Sequence, residues 1–263
     1  MKKYLYIMKT QVISNLQYVF NVVFNFLLYF VMLFILFSLW RYLYSDPNEL
    51  INGYSMSQMT WYVIITELLY MTLEGRKLCR SISNDVKSGN IAYNINKPYN
   101  CIGYYLYSHL GNETIKAIVY TILSMVTGLL FIGDFPDLNI LKILVVLVSM
   151  ILANIINILF IISIGLISFY IEDSGPLYWI YSKLNLILGT LFPIEYFPKG
   201  LQKVLVLSPI YVTCYGPAKL FVDFTWNQAG IVLLAQIIYI FIAYMICYLI
   251  YRRGVRKINV NGG

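Results

Sequence analysis

Few side chains in this 263-residue sequence could carry covalent chemistry, and they stand far apart. His109 is the one histidine, so a histidine-based acid–base relay lacks its second member. No second His or any Cys lies at ligand spacing from it, and no metal site is expected. The four cysteines, Cys79, Cys101, Cys214 and Cys247, show no metal-ligand spacing and read as inert thiols rather than a disulfide framework. The sequence contains no Gly-x-x-x-x-Gly-Lys-Ser/Thr phosphate loop, no Gly-x-Ser-x-Gly elbow and no His-Glu-x-x-His pair. The expectation is therefore no catalytic residue and no cofactor on this chain. Two acids remain of interest. Glu67 lies inside an apolar run, where a carboxylate is costly and marks a functional position unless it merely faces neighbouring helices. Glu113 and Lys116 are three apart and can pair along one helix face.

The setting of these residues is a membrane. Hydrophobic residues make up 60% of the chain and charged ones 12%, against roughly 25% charged in a soluble domain. So few polar side chains could not cover a core that large, and the bilayer must be the main solvent. Twenty-five tyrosines suit the interfacial belts, where a ring sits among headgroups and its hydroxyl meets water. The fold class expected is an all-α integral membrane protein with six transmembrane helices, at 18–40, 59–75, 102–132, 141–169, 177–192 and 230–251 of a single domain. Residues 1–17 are amphipathic and read as an interfacial helix. They are not expected to be a cleavable leader, because the apolar run that follows far exceeds an h-region of about 7–15 residues. Ser45-Asp46-Pro47-Asn48 reads as a turn, and Asn154 and Asn157, three apart, as a polar contact between helices. Prolines break the stretch 193–217 into short apolar pieces that dip into the outer leaflet and return.

Charge sets the orientation. Twelve basic residues fall in segments expected on the cytoplasmic side: Lys2, Lys3, Lys9, five between 76 and 100, and four from Arg252 to Lys257. Four (Arg41, Lys199, Lys203 and Lys219) fall outside. Both termini are thus expected in the cytoplasm. The net charge of +7 is concentrated at membrane edges, which argues for orientation and against a nucleic-acid partner.

The segment 76–100 is the longest polar interruption. It carries Arg76, Lys77, Arg80, Lys87 and Lys97 against one acid, Asp85. Leu78, Ile82 and Val86 have helical spacing, Gly89 suits a left-handed cap, and Lys97-Pro98 stops a second short turn. A short helix with an apolar edge and basic flanks can dock in a groove on a soluble partner; the plainer reading is an ordinary basic loop.

Asp85-Val-Lys-Ser-Gly-Asn-Ile-Ala-Tyr93 followed by Lys97-Pro98 resembles the segment between spans two and three of type-2 ATP-binding-cassette (ABC) transporter permeases, in particular a bacterial exporter subgroup. The run Phe192-Pro-Ile-Glu-Tyr-Phe-Pro198, with Ser208-Pro209 and Gly216-Pro217, is similar to that family's element after span five. Asn94, Asn96 and Asn100 depart from the pattern. The resemblance implies a permease subunit of an ATP-driven transporter in the bacterial cytoplasmic membrane. Separate cytoplasmic ATPase subunits would carry ATP and magnesium, and a second permease chain, identical or a sister protein, would complete the path. It assigns coupling to the ATPase to Arg80, Ile82, Asp85, Val86, Ser88, Gly89, Asn90 and Ile91. Pro193, Glu195, Pro198 and Pro209 would form an external gate. Tyr29, Phe34, Glu67 and Asn185 are the expected substrate path, for an amphiphilic cargo such as a drug, lipid or small peptide. The rival classes are a stand-alone channel or secondary carrier, which often shows an internal repeat that is not seen here, and a lipid-modifying enzyme, which needs clustered acids or histidines.

Overall fold

The computed structural model describes residues 2–17, 19–44, 46, 49–72, 75–95 and 97–261. Of the turn expected at 45–48, three residues lie outside that set, as does Asn96. The described residues are almost all helical: α1 (Lys2–Leu16), α2 (Val19–Leu43), α3 (Met56–Thr72), α4 (Arg76–Lys87), α5 (Ile91–Ile95), α6 (Cys101–Ile132), α7 (Ile140–Leu166), α8 (Gly175–Asn185), α9 (Lys199–Val206), α10 (Gly216–Val222) and α11 (Trp226–Asn261). A five-residue π-helical stretch, Leu186–Thr190, prolongs α8, and another, Tyr211–Tyr215, leads into α10.

Local chemistry explains the boundaries. The side chains of Asn100 and Asn139 accept from the amides of Gly103 and Lys142, at 3.1 and 2.9 Å, and so cap the starts of α6 and α7. Gly133, at φ +82°, ends α6 in the left-handed conformation that costs a glycine little. The last helix runs ten residues past 251, where its membrane span is expected to end, so Arg252, Arg253, Arg256 and Lys257 sit within it. Arginine and lysine are good helix formers, and Gly254 among them gives room to the Phe169 ring, which a Cβ there would meet at 2.2 Å.

Among the described residues four stretches are long and apolar enough to cross a bilayer: Val23–Leu43, Cys101–Ile132, Ile140–Phe169 and Trp226–Lys257. The fifth candidate is a broken one, Lys199–Val206 with Tyr211–Val222, bent by 78° at Ser208-Pro209. α3 has 17 residues. At 1.5 Å per residue it reaches about 25 Å, just short of a hydrocarbon core of about 30 Å.

Two hydrophobic cores divide the molecule by depth. One joins α2, α3 and the 194–232 region around Tyr29, Trp40, Trp61, Tyr62 and Leu220. The other joins α4, the start of α6, the end of α7, α8 and α11 around Ile82, Ile91, Ile102, Ile162 and Cys247. Outside them α2 and α11 expose Phe20, Phe24, Leu28, Leu234 and Phe241, the surface expected to face lipid. α1 packs along the start of α6: Tyr4 stacks on Tyr107 at 5.3 Å, its hydroxyl accepts from the Asn100 amide at 2.8 Å, and Asn15 donates to Asn112 at 2.9 Å.

α3 and α6 approach through Gly128. A Cβ built there would stand 2.3 Å from the Trp61 ring. That ring is held by Phe135 and Phe221, with centroids at 5.6 and 5.4 Å, and its indole N–H donates to the Asp134 carbonyl at 3.0 Å. Gly128→Leu should therefore destabilise the protein by about 1–3 kcal/mol, as overpacking does. The check is a lower melting temperature in detergent, with Gly200→Ala, where a Cβ meets open space, as the unaffected control.

Candidate functional site

The polar segment after α3 is seated firmly on the membrane helices. Leu78, Cys79, Ile82 and Ser83 form the buried face of α4. Ile82 lies against Gly165 of α7, where an added Cβ would come within 2.9 Å of it. Ser168 donates to Ser83 at 2.8 Å, the Cys79 sulfur lies 3.5 Å from the Ser174 hydroxyl, and the Gly75 amide donates to the Tyr178 hydroxyl at 3.0 Å. Burial raises the Cys79 thiol pKa, which keeps it protonated and unreactive. On the other side, Tyr105 of α6 donates to the Asp85 carboxylate at 2.7 Å. Lys87 and Asp173 are 3.8 Å apart, but both are well exposed and contribute little.

The apolar edge expected to meet an outside partner is thus turned inward. Ile82 and Ile91 are fully buried within the chain, and Asp85 and Val86 are half-buried. The outward face is polar and basic: Arg76, Lys77, Arg80, Ser81, Asn84, Lys87, Ser88, Gly89 and Asn90. Ser88 and Gly89 close α4 by donating to the Asn84 and Val86 carbonyls, at 2.9 and 3.3 Å. Gly89 has φ +75°, and α5 follows at once.

At the opposite end, Pro193 is buried ahead of a 3-10 turn, Pro198 precedes α9, and Pro209 sits at the 78° bend. Glu195 lies in a cluster. Its carboxylate accepts from the Tyr215 hydroxyl at 2.5 Å and stands 3.9 Å from the Lys219 ammonium. Lys219 also reaches Asp223 at 3.1 Å and lies 4.3 Å from the centroid of the Tyr54 ring. Burial, with the Glu195 charge nearby, raises the Tyr54 phenol pKa.

Of the four residues expected along a substrate path, Tyr29 and Glu67 lie near enough to interact electrostatically, while Phe34 faces outward and Asn185 lines a cavity. Tyr29 is buried and holds Ser124 at 2.9 Å and the Ile64 carbonyl at 3.2 Å. Phe34 is exposed, its ring edge-on to Phe131 at 6.5 Å. Glu67 has no exposed surface, and neither of its carboxylate oxygens has a hydrogen-bond partner. Asn185 lines a cavity of about 190 Å³ between the end of α3, α7, α8 and the Tyr211–Tyr215 turn. Sequence reasoning missed Tyr70, Tyr181, Ser182 and Lys183 of that lining and read Arg76 and Asn157 in other roles. Inside it Tyr181 donates to Asn157 at 2.7 Å, and the Tyr70 and Ser182 hydroxyls are 3.1 Å apart. The signal was present: Tyr178, Tyr181, Ser182 and Asn185 recur at helical spacing along a short apolar helix.

A second cleft, of about 530 Å³, opens between α3, α6 and α7. Asn154 lines it, so the two asparagines read as one contact serve different spaces. Glu113 lines it too and pairs with Lys116 at 3.5 Å. Among the described residues no group of three His, Cys, Asp or Glu side chains could hold a metal ion.

Long apolar helices with a basic segment packed against them are the build of an integral membrane protein. A family model described as ABC-2 family transporter protein matches residues 13–262. The chain belongs to that family: it is a permease component of an ABC transporter, a membrane protein whose family works with ABC ATPase subunits. No curated protein matches the chain.

The Tyr105–Asp85 bond is the tie between α4 and α6. A hydrogen bond to a charged group contributes about 1.5–3 kcal/mol. Tyr105→Phe should lower the melting temperature and speed tryptic cleavage at exposed Lys87. Tyr93→Phe, at an exposed ring, should change neither.

Proposed function

We propose that this chain is the membrane-spanning subunit of an ATP-driven exporter of amphiphilic cargo, working as a pair with an identical or sister permease. The observation that carries the reading is the seat of α4: its apolar edge is locked into α7 while its basic face is presented to the solvent. A helix held in this way is a lever. A push on Arg80, Ser88, Gly89 and Asn90 would pass through Ile82 and Ile91 to the core, and through Asp85 to Tyr105 and α6. ATP and magnesium would be held by the separate ATPase, and closure of that subunit would supply the push.

In this reading there are six spans. α3 and the stretch Gly175–Thr190 are the two short ones, and both termini lie in the cytoplasm of a bacterial cell. The bent elements from Pro193 to Pro209 form the external gate, and the Glu195–Tyr215–Lys219 cluster ties it to α10. The exposed apolar faces of α2 and α8 supply surface for the second permease. Tyr29, Phe34, Glu67 and Asn185 would reach the cargo only once that partner and a change of conformation bring them to one path. The pattern of twelve basic residues inside against four outside supports the orientation.

Two measurements test the proposal. Gentle extraction of the tagged chain from its native membrane should bring down, in stoichiometric amount, a protein with phosphate-loop ATPase motifs; recovery of the chain alone would return weight to a stand-alone carrier. Gly89→Val places a β-branched residue at φ +75°, a cost of about 1–2 kcal/mol confined to the turn. The variant should insert normally yet lose the coupling of transport to ATP hydrolysis, and unchanged coupling would remove this turn from the mechanism.

A further inference from the structure

The cavity lined by Asn185 has an unbalanced charge. Its charged lining residues among those described are Arg76 and Lys183, both basic. Arg76 opens α4, whose first turn contains no acid and whose N-cap, Gly75, makes no side-chain cap bond. Two bases at 76 and 77 stand against the helix dipole, which favours negative charge at that end. An anion seated there would offset both effects. The neutral groups suit the same guest. Whichever of Tyr70 and Ser182 donates across their 3.1 Å contact, the other keeps a proton to give. Asn185, buried and on the lining, adds an amide.

Tyr181 and Asn157, also on the wall, are engaged with each other, and Met71, Ile161 and Trp179 give the wall an apolar part. At about 190 Å³ the cavity falls below the usual size of roughly 300–1,000 Å³ for a whole drug-sized ligand. It suits a headgroup and the first part of a chain. Beside Lys183, α8 and the π-helical stretch that prolongs it expose Ile180, Leu184 and Ile187 at helical spacing, an apolar strip along which a tail can leave. Basic pockets between helices at a cytoplasmic leaflet are the usual receptors for acidic lipid heads.

We propose that this cavity binds the anionic headgroup, phosphate or a like oxyanion, of an amphiphile whose tail lies along α8. Its use as the entry point for cargo rests on the permease reading; the binding itself does not. The test is native mass spectrometry of the purified full chain in a neutral detergent. Phosphatidylglycerol, phosphatidylcholine and inorganic phosphate are offered separately. The expected result is one retained phosphatidylglycerol, bound in preference to phosphatidylcholine. Removing two basic contacts in Arg76→Gln/Lys183→Gln should weaken it about thirtyfold. Lys199→Gln/Lys203→Gln, which removes the same charge from α9, outside the cavity lining, should leave it unchanged. Equal retention of phosphatidylcholine, or equal binding by the Arg76→Gln/Lys183→Gln variant, overturns the site. Retention of inorganic phosphate without lipid overturns the amphiphile and leaves a free-anion site. Because the ATPase is absent from this measurement, a negative result does not touch the permease reading, and failure to recover an ATPase does not touch the cavity.

Discussion

The contact on which the inner half of this protein depends is the seat of Ile82 against Gly165. A side chain at 165 would fill the space that Ile82 occupies, and α4 could not lie so close to α7. With that approach in place, Ser83 comes within 2.8 Å of Ser168 and Cys79 within 3.5 Å of Ser174. These are polar groups removed from water, each costly unless paired, so their pairing fixes α4 in rotation as well as in position. The same placement carries Gly75 to Tyr178, which is how α4 comes to form part of the wall of the inner cavity. A basic segment that reads in isolation as a loose cytoplasmic loop is instead part of the folded body.

The opposite end uses charge where the inner end uses packing. Glu195, Lys219 and Asp223 join a proline-broken stretch to α10, and Lys219 also lies over the Tyr54 ring. Lys219 and Glu195 are only partly exposed, at 14% and 34%, so their attraction is screened less than that of a surface pair. Between the two ends the helices are not uniformly packed. The cleft between α3, α6 and α7 separates helices that α4 ties together below, through Ile82 on one side and Asp85 on the other. Displacement of α4 would therefore be shared between α6 and α7, with open space above in which their spacing can change.

Much of this architecture was legible in the sequence because the membrane imposes a simple rule. A charge-free run must be a helix, and it ends where polar capping residues stand. Where spans 141–169 and 102–132 are expected, Ile140–Phe169 and Cys101–Ile132 are helical and long and apolar enough to cross, each opened by an asparagine cap. α11 continues past 251, where the last span is expected to end, because the basic residues that mark a membrane edge do not stop a helix. The inner cavity was missed for another reason. Its walls come from α3, α4, α7, α8 and the 211–215 turn, and no periodicity within one segment shows which faces converge. Leu78 and Ile82 show the same limit. Their spacing marks an apolar edge but cannot tell a partner's groove from the chain's own, and here it is the chain's own.

That last distinction changes what the segment can do. An apolar edge kept for a partner would leave α4 loosely attached until the partner arrived, and force applied to it would be spent in ordering the loop. With the edge already buried, the ordering has taken place within the fold, and the exposed face needs only complementary contacts to take hold. Polar contacts of that kind form and break without exposing apolar surface, as a subunit that engages and releases through a cycle requires. On the proposed coupling role, the basic face would be the replaceable part of the joint and the Ile82 seat its permanent part. Gly89 stands at the boundary between them, where α4 ends and the chain must turn at φ +75° to begin α5.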